Sequence, residues 1–185
     1  LILILALAGA ALTVQAGGPG KVGDFEWDLL TDDPGWAPRA GLQAVELRNT
    51  FFVMGARTPL DPAINPFPGA STFYSDVWAS RDQGRTWTEV LPSGSTEVWE
   101  PRGYFQVVTM GGRMFVLGGQ DFNMIPNPDP NGPPFLPASQ FFNDVWSSRD
   151  GVNWELLTAE APWHGRAGLS AAVLDGEIYV MGGSA

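Results

Sequence analysis

The segment RAGLQAVELRNTFFVMGA, from Arg39 to Ala56, decides the fold because the chain repeats it twice. The copies are RGYFQVVTMGGRMFVLGG, from Arg102 to Gly119, and RAGLSAAVLDGEIYVMGG, from Arg166 to Gly183, at a period of about 63 residues. Each copy contains two apolar runs joined by two turn residues, which is typical of a β-hairpin. An internal repeat of this length indicates a structure built from similar units.

A second matched pair lies between these copies, namely FYSDVWASRDQGRTWTEVL and FFNDVWSSRDGVNWELL. Each full copy therefore has four short apolar or alternating runs separated by turn residues, which predicts a four-stranded antiparallel meander. The 23 Gly and 16 Pro among 185 residues also favour many short strands over long helices. We therefore predict an all-β fold.

Three recurring features resemble the kelch repeat of β-propellers: an Arg just before strand 1, glycines at the end of strand 2 and a Trp in strand 4. The resemblance covers nearly everything from residue 25 onward. The chain departs from the pattern at Ala56, which replaces the second glycine of the first copy, and its period exceeds the ~50 residues usual for kelch. The resemblance implies a partial kelch-type β-propeller, similar to the galactose-oxidase-like family, with four-stranded antiparallel blades.

The predicted propeller occupies 25–185, with blades at 39–91 and 102–158 and the first half of a further blade at 166–185. An isolated strand 4, FEWDLL at 25–30, has no strands 1 to 3 of its own. Propellers commonly close by completing one blade from both termini, which removes exposed edges. We therefore expect a fragment of a larger propeller that requires the remaining blades for closure.

The connection between strands 3 and 4 reads SRDQGRTW (80–87) in one copy and SRDGVNW (148–154) in the other. The first resembles the Asp-box of sialidases. A catalytic residue is rarely needed twice, whereas Asp followed by Gly suits a turn in which the carboxylate accepts backbone N–H groups. We therefore interpret four residues as structural turn residues: Asp82, Gly84, Asp150 and Gly151.

The opposite face is predicted to carry the connections from strand 4 to strand 1, each of which reads Trp-x-x-Arg. Guanidinium groups match carboxylates and aromatic rings stack on sugars, so these connections are candidates for ligand binding. The candidate residues are Trp36, Arg39, Trp99, Arg102, Trp163, His164 and Arg166. The alternative is structural, with each Arg bonding a carboxylate such as Asp76 or Asp144 and each Trp packing between blades.

Two Pro-rich loops join strands 2 and 3 on the same predicted face, at 57–72 and 120–140. Long loops on a rigid scaffold often carry binding sites, and the alternative is a stiffened cover over the channel mouth. Within the second loop, Asn127 to Gly132 imitates half of an EF-hand loop, but position 138, where a bidentate Glu is needed, is Ala. We predict no calcium site there.

The chain begins with an apolar run that ends near a small-residue cleavage pattern, Val14-Gln15-Ala16. We expect a signal peptide at 1–16, without its basic first part, and a linker at 17–24. A membrane anchor is the alternative, but the run is short for a span, and none is expected in the mature chain. The predicted location is therefore secreted, periplasmic or at the cell surface.

The net charge of −10 disfavours binding to nucleic acids. One histidine and no cysteine disfavour a metal centre, and no cofactor is predicted. We expect a binding or scaffold module for an unknown protein or glycan ligand, recognising carbohydrate or an acidic sugar. The alternatives are an enzyme similar to sialic-acid mutarotases or galactose oxidases, with its catalytic residues in missing blades, and a structural surface protein.

Overall fold

The structure is a computed structural model of the chain, and it describes residues 20–22, 25–58, 71–122 and 124–185. The predicted signal peptide, parts of the predicted linker and most of the first long loop lie outside these residues. Every regular element longer than a turn in the described part is a β-strand, so the predicted all-β class is confirmed. Over the same residues, no helix has the length and apolar character needed to cross a bilayer.

Two short strands near the start of the chain, β1 (Gly20–Val22) and β2 (Phe25–Trp27), pair antiparallel with each other. The β2 strand is the first half of FEWDLL, the predicted isolated strand 4. Among the described residues, it pairs with β1 and with no other strand.

The first sheet has four antiparallel strands in chain order. They are β3 (Gln43–Leu47), β4 (Thr50–Arg57), β5 (Phe73–Ser80) and β6 (Thr88–Leu91). The turn between β3 and β4 places both Arg48 and Asn49 at positive φ, 52° and 62°, as a two-residue hairpin requires. Ala56 lies at φ 104° beside a bulge in β4, yet the strand continues through Arg57.

The second sheet repeats this arrangement with β7 (Gln106–Met110) and β8 (Arg113–Leu117), followed by β11 (Val145–Ser148) and β12 (Trp154–Thr158). The long loop before β11 contains a small hairpin of β9 (Met124–Pro126) and β10 (Phe135–Pro137). Asn127 and Asp129 accept backbone N–H groups inside this hairpin turn. The predicted four-stranded meander is therefore confirmed for both complete copies.

The third copy forms a hairpin of β13 (Ala167–Leu174) and β14 (Glu177–Ser184). Its turn residues Asp175 and Gly176 have φ values of 52° and 78°. In the described part of the chain, these two strands pair only with each other.

The main hydrophobic core lies between the two four-stranded sheets, and its members come from both. The most buried are Met54, Val77, Phe105, Met114 and Val116. Because the strands alternate, each sheet contributes one apolar face to this layer. Burial of this apolar surface supplies the main favourable term for joining the two sheets.

Backbone hydrogen bonds also join each copy to the one before it, through the arginine that starts the repeat. The Arg102 N–H donates to the Tyr74 carbonyl at 3.2 Å, and its carbonyl accepts from the Ala56 N–H at 3.1 Å. Arg166 repeats the pattern, since it donates to Phe142 at 3.1 Å and accepts from Gly119 at 2.8 Å. The residues at the end of strand 2 in the first two copies are therefore hydrogen-bonded to the first residue of the following copy.

We predict that Gly55→Ala lowers the free energy of unfolding by about 3 kcal/mol, whereas Gly111→Ala lowers it by about 1 kcal/mol. The two glycines have similar φ values, 61° and 57°, so the backbone cost of the change is matched. An added Cβ at Gly55 would lie 2.5 Å from the buried Phe105 ring, whereas at Gly111 it would meet nothing within 4 Å. Urea unfolding measures both, and equal losses would contradict the close approach of the two sheets at Gly55.

Candidate functional site

The Arg39 side chain lies in a buried socket at one end of the first sheet and is 5% exposed. Its Nε donates to the Ala37 carbonyl at 3.2 Å, and its Nη1 donates to the Gly55 carbonyl at 3.2 Å. The same Nη1 lies 2.7 and 2.9 Å from the two carboxylate oxygens of Asp76. The Tyr74 ring covers the guanidinium, with its centroid 4.2 Å from the Arg39 Cζ.

Arg102 occupies the same socket in the second sheet and is fully buried. Its Nε donates to the Glu100 carbonyl at 3.0 Å and its Nη1 to the Gly118 carbonyl at 3.1 Å. Its two terminal nitrogens bind the Asp144 carboxylate at 2.5 and 3.0 Å, and the Phe142 ring lies 3.5 Å from its Cζ. The structural alternative of the sequence analysis, an Arg bonded to a carboxylate of its own copy, is therefore confirmed for both sheets.

Arg166 starts the third copy and makes the same two backbone contacts. Its Nε donates to the His164 carbonyl at 3.1 Å and its Nη1 to the Gly182 carbonyl at 2.7 Å. Over the described residues, no carboxylate lies within ion-pair distance of it, and no aromatic ring covers it. The described residues therefore show the two backbone contacts of the socket for Arg166.

The tryptophans of the first two Trp-x-x-Arg connections, Trp36 and Trp99, pack against tryptophans of the sheet that follows them. Trp36 meets Trp78 and Trp87 edge to face, at centroid distances of 5.6 and 4.9 Å. Trp99 meets Trp154 at 4.4 Å and is 1% exposed. These contacts fasten the connection to its own sheet rather than presenting a ring to solvent.

The seven predicted ligand residues therefore divide by burial. Arg39, Trp99 and Arg102 are buried. The other four reach the surface to some extent: Trp36, Trp163, His164 and Arg166. Ligand contact by any of the seven stays a prediction. The four residues that reach the surface could meet a ligand most easily, because they are accessible to it.

A cleft of about 510 Å³ opens where the connection before the second sheet meets the ends of both long loops. Glu100 and Pro101 come from that connection, and Asp121 and Gln140 come from the two ends of the second loop. The remaining lining residues are Ser71, Phe73 and Phe142. The cleft combines two aromatic rings with two carboxylates and an amide, which can bind hydroxyl groups and stack on a sugar ring.

Sequence reasoning did not select Glu100, Asp121 or Gln140. Glu100 occupies the position that Ala37 and His164 hold in the other two connections. An acidic residue therefore occurs at this position in one copy alone. A comparison of the copies for residues that differ, instead of those that recur, would have found it.

The turn face carries the two Asp-box-like segments. Asp82 accepts from the Thr86 Oγ1 at 2.7 Å, the Thr86 N–H at 2.9 Å and the Ser80 Oγ at 2.9 Å. The hydrogen bonds from Thr86 and Ser80 lower the pKa of Asp82 to about 2. Gly84 follows at φ 88°. All of these contacts lie within the turn.

Asp150 has the equivalent role in the shorter turn. It accepts from the N–H groups of Val152 and Asn153 and from the Asn153 amide at 2.8 to 2.9 Å. Burial raises the pKa of Asp150, but the hydrogen bonds from Asn153, Val152 and Ser148 outweigh it and lower the pKa to about 2. Gly151 lies at φ 78°, where a Cβ would come within 2.7 Å of the Phe52 ring. The turn therefore also packs against the first sheet.

Within the described part of the chain, no three His, Cys, Asp or Glu side chains come together as metal ligands do.

Comparisons with known proteins do not identify a family for the chain. No family model matches the chain, and no curated protein matches it. A solved structure described as "Structure of YjhT" is similar to it at 21% identity and a TM-score of 0.49, over 80% of this chain and 35% of the other. The chain thus spans little more than a third of that protein's length.

We predict that Asp76→Ala lowers the free energy of unfolding by about 3–5 kcal/mol, because it leaves a buried guanidinium without its counter-charge. The control is Glu155→Ala, which removes the partner of Arg113 at a position where the Glu155 side chain is 62% exposed. An exposed pair is worth less than about 1 kcal/mol. Urea unfolding should separate the two variants clearly, and similar midpoints would contradict the role of the socket.

We predict that Thr86→Val raises the pKa of Asp82 from about 2 towards its ordinary value of 3.8. The change removes the hydroxyl donor while nearly preserving side-chain volume. Because the pKa is lowered in the folded chain, the associated stability is present above pH ~4 and is lost as the pH falls towards 2. A carbon-13 carboxyl titration measures the pKa, with Thr88→Val as the control that should leave it unchanged.

Proposed function

We propose that the chain is part of an exported kelch-type β-propeller that acts as a binding module through its loop face. Two four-stranded meanders and a further hairpin follow each other at a constant period, and each copy closes onto the one before it through the same backbone contacts. An arrangement of repeated four-stranded sheets that contact mainly their neighbours is what a propeller requires. The apolar start of the sequence supports export.

The observation that carries the binding function is the cleft between the connections and the long loops. It is lined by residues that differ between copies, such as Glu100, and it lies at the face where long loops converge. Phe73 and Phe142 offer apolar surface, and Gln140 offers both a donor and an acceptor. This chemistry fits a carbohydrate.

The charge of the cleft favours a neutral sugar over the sugar acid that the arginine pattern suggested. Arg102 follows Pro101 of the lining in sequence but is neutralised by Asp144, and both ions are largely buried. Glu100 and Asp121 contribute carboxylates to the lining. An acidic ligand would therefore meet like charge, whereas hydroxyl groups would donate to these oxygens.

A second candidate, a structural surface protein, is favoured by a different observation. The burial of Arg39, Trp99 and Arg102 gives these residues of the repeated pattern a role in packing. A chain that used its repeats only to build a rigid scaffold would need nothing more from them.

The test is calorimetry of the full chain with neutral and acidic oligosaccharides, for the wild type and for Glu100→Gln. We predict that Glu100→Gln weakens the binding of a neutral oligosaccharide about tenfold, since it replaces a charged acceptor with a neutral one. The matched control is Glu89→Gln, which removes the same charge from an exposed position of β6 outside the cleft.

The signs of the effects separate the possibilities. Weaker neutral binding in Glu100→Gln alone supports the cleft as a site for neutral sugars. Tighter acidic binding in the same variant, without neutral binding, would show that the ligand is a sugar acid. The absence of heat with every sugar, in all three proteins, would overturn the binding function and leave the structural candidate.

A further inference from the structure

A second cavity, of about 220 Å³, adjoins the cleft at the second sheet. Glu100, Gln140 and Phe142 line both the cavity and the cleft, so the two form one groove. The cavity also includes Trp146 in its lining, and we call it the Trp146 cavity. All of its lining residues lie between positions 98 and 159, so it belongs to the second copy and to the connection that precedes it.

The two connections differ where they pass the tryptophan of strand 3. In the first sheet the backbone of the connection lies on Trp78, since a Cβ added at Gly35 would come within 2.9 Å of its ring. The second copy has Val98 in the place of Gly35 and Trp146 in the place of Trp78. A connection that carries a valine there has to stand further from the tryptophan, because the side chain needs the space that the glycine leaves to the ring. Val98 and Trp146 both line the cavity.

The neighbour of Trp146 on strand 4 is also more apolar than its counterpart in the first sheet. Leu156 pairs with Trp146, at the place where Glu89 pairs with Trp78. Leu156 lines the Trp146 cavity and is 45% exposed. A tryptophan beside an exposed apolar side chain provides a surface on which the C–H face of a sugar ring can pack.

Asp144 gives the cavity an acceptor for hydroxyl groups. Its side chain is 15% exposed, whereas that of Asp76 in the first sheet is 4% exposed. Asp144 accepts two hydrogen bonds from Arg102 and one from the Trp146 indole. A carboxylate has about four acceptor sites, so Asp144 retains capacity for about one more hydrogen bond. It can therefore neutralise Arg102 and bind a ligand hydroxyl at the same time.

We propose that the groove binds an oligosaccharide across two subsites, with one sugar ring in the cleft and a second ring in the Trp146 cavity. The inference rests on the proposed binding of a neutral sugar at the cleft and adds the length of the ligand. The second ring stacks on Trp146 and donates a hydroxyl group to Asp144. Glu100 and Gln140, which line both subsites, accept hydroxyl groups on either side of the linkage.

The experiment compares single sugars with their dimers by calorimetry on the full chain. The probes are glucose with cellobiose and maltose, and N-acetylglucosamine with its β-1,4-linked dimer. We expect one of the dimers to bind at least about tenfold more tightly than its single sugar, because only the dimer reaches the second subsite.

Two variants close or alter the second subsite and leave the cleft unchanged. Ala159→Phe places a large side chain at an exposed position of the cavity lining, and Leu156→Glu introduces the residue that the first sheet carries there. We expect both variants to bind the dimer only as tightly as the single sugar, whose affinity stays unchanged. The matched control is Ala37→Phe, at an exposed position outside both linings, which should keep the preference for the dimer.

The outcomes distinguish the second subsite from the cleft itself. Equal affinity of the wild type for single sugars and dimers would overturn the second subsite and leave binding at the cleft in place. A preference for the dimer that persists in both Ala159→Phe and Leu156→Glu would also overturn it, since the second ring would then lie elsewhere. The absence of binding by every one of these sugars would overturn the proposed carbohydrate binding and this inference together.

Discussion

The arginine that begins each copy carries the constraint on which the rest of the structure depends. The peptide groups of Arg102 and Arg166 are bound to the preceding sheet, while the guanidinium of each donates to a glycine carbonyl near the end of strand 2 in its own copy. One residue thus joins two successive sheets at a fixed distance. Because the guanidinium of Arg102 is fully buried, a carboxylate must lie beside it, and Asp144, directly before β11, meets this requirement.

The same constraint explains why glycines end strand 2. The carbonyls of Gly55 and Gly118 accept hydrogen bonds from the arginine of their own copy. Both glycines lie at positive φ, and atoms of the following copy lie close to them. A side chain at either place would meet the next copy at less than 3.0 Å. The glycines therefore follow from the approach of two backbones. At the following position, Ala56 in the first sheet has φ 104° and Gly119 in the second has φ 101°, so this position tolerates a methyl group in the first sheet.

The strands, the hairpin turns and the partners of Arg39 and Arg102 could be predicted from the sequence, because each follows from local pattern or from the rule that buried charges are paired. The cleft could not. Its lining comes from Glu100, Asp121 and Gln140, which lie far apart in sequence and meet only through the course of a long loop. The β9–β10 hairpin inside that loop was also missed, because its Pro-rich sequence has no alternating pattern.

Arg39 and Arg102 recur at the start of their copies, yet burial and ion pairing keep their charge from the surface. A buried cation has to be neutralised inside the protein, so it contributes little field at the surface. Pairing Arg39 and Arg102 internally leaves the net charge at −10 but withdraws two of the ten basic side chains from the surface. The surface is consequently more acidic in proportion than the composition indicates. If the proposed cleft binds a ligand, its selectivity comes from residues present in one copy only, and there those residues are carboxylates and an amide rather than the repeated arginines.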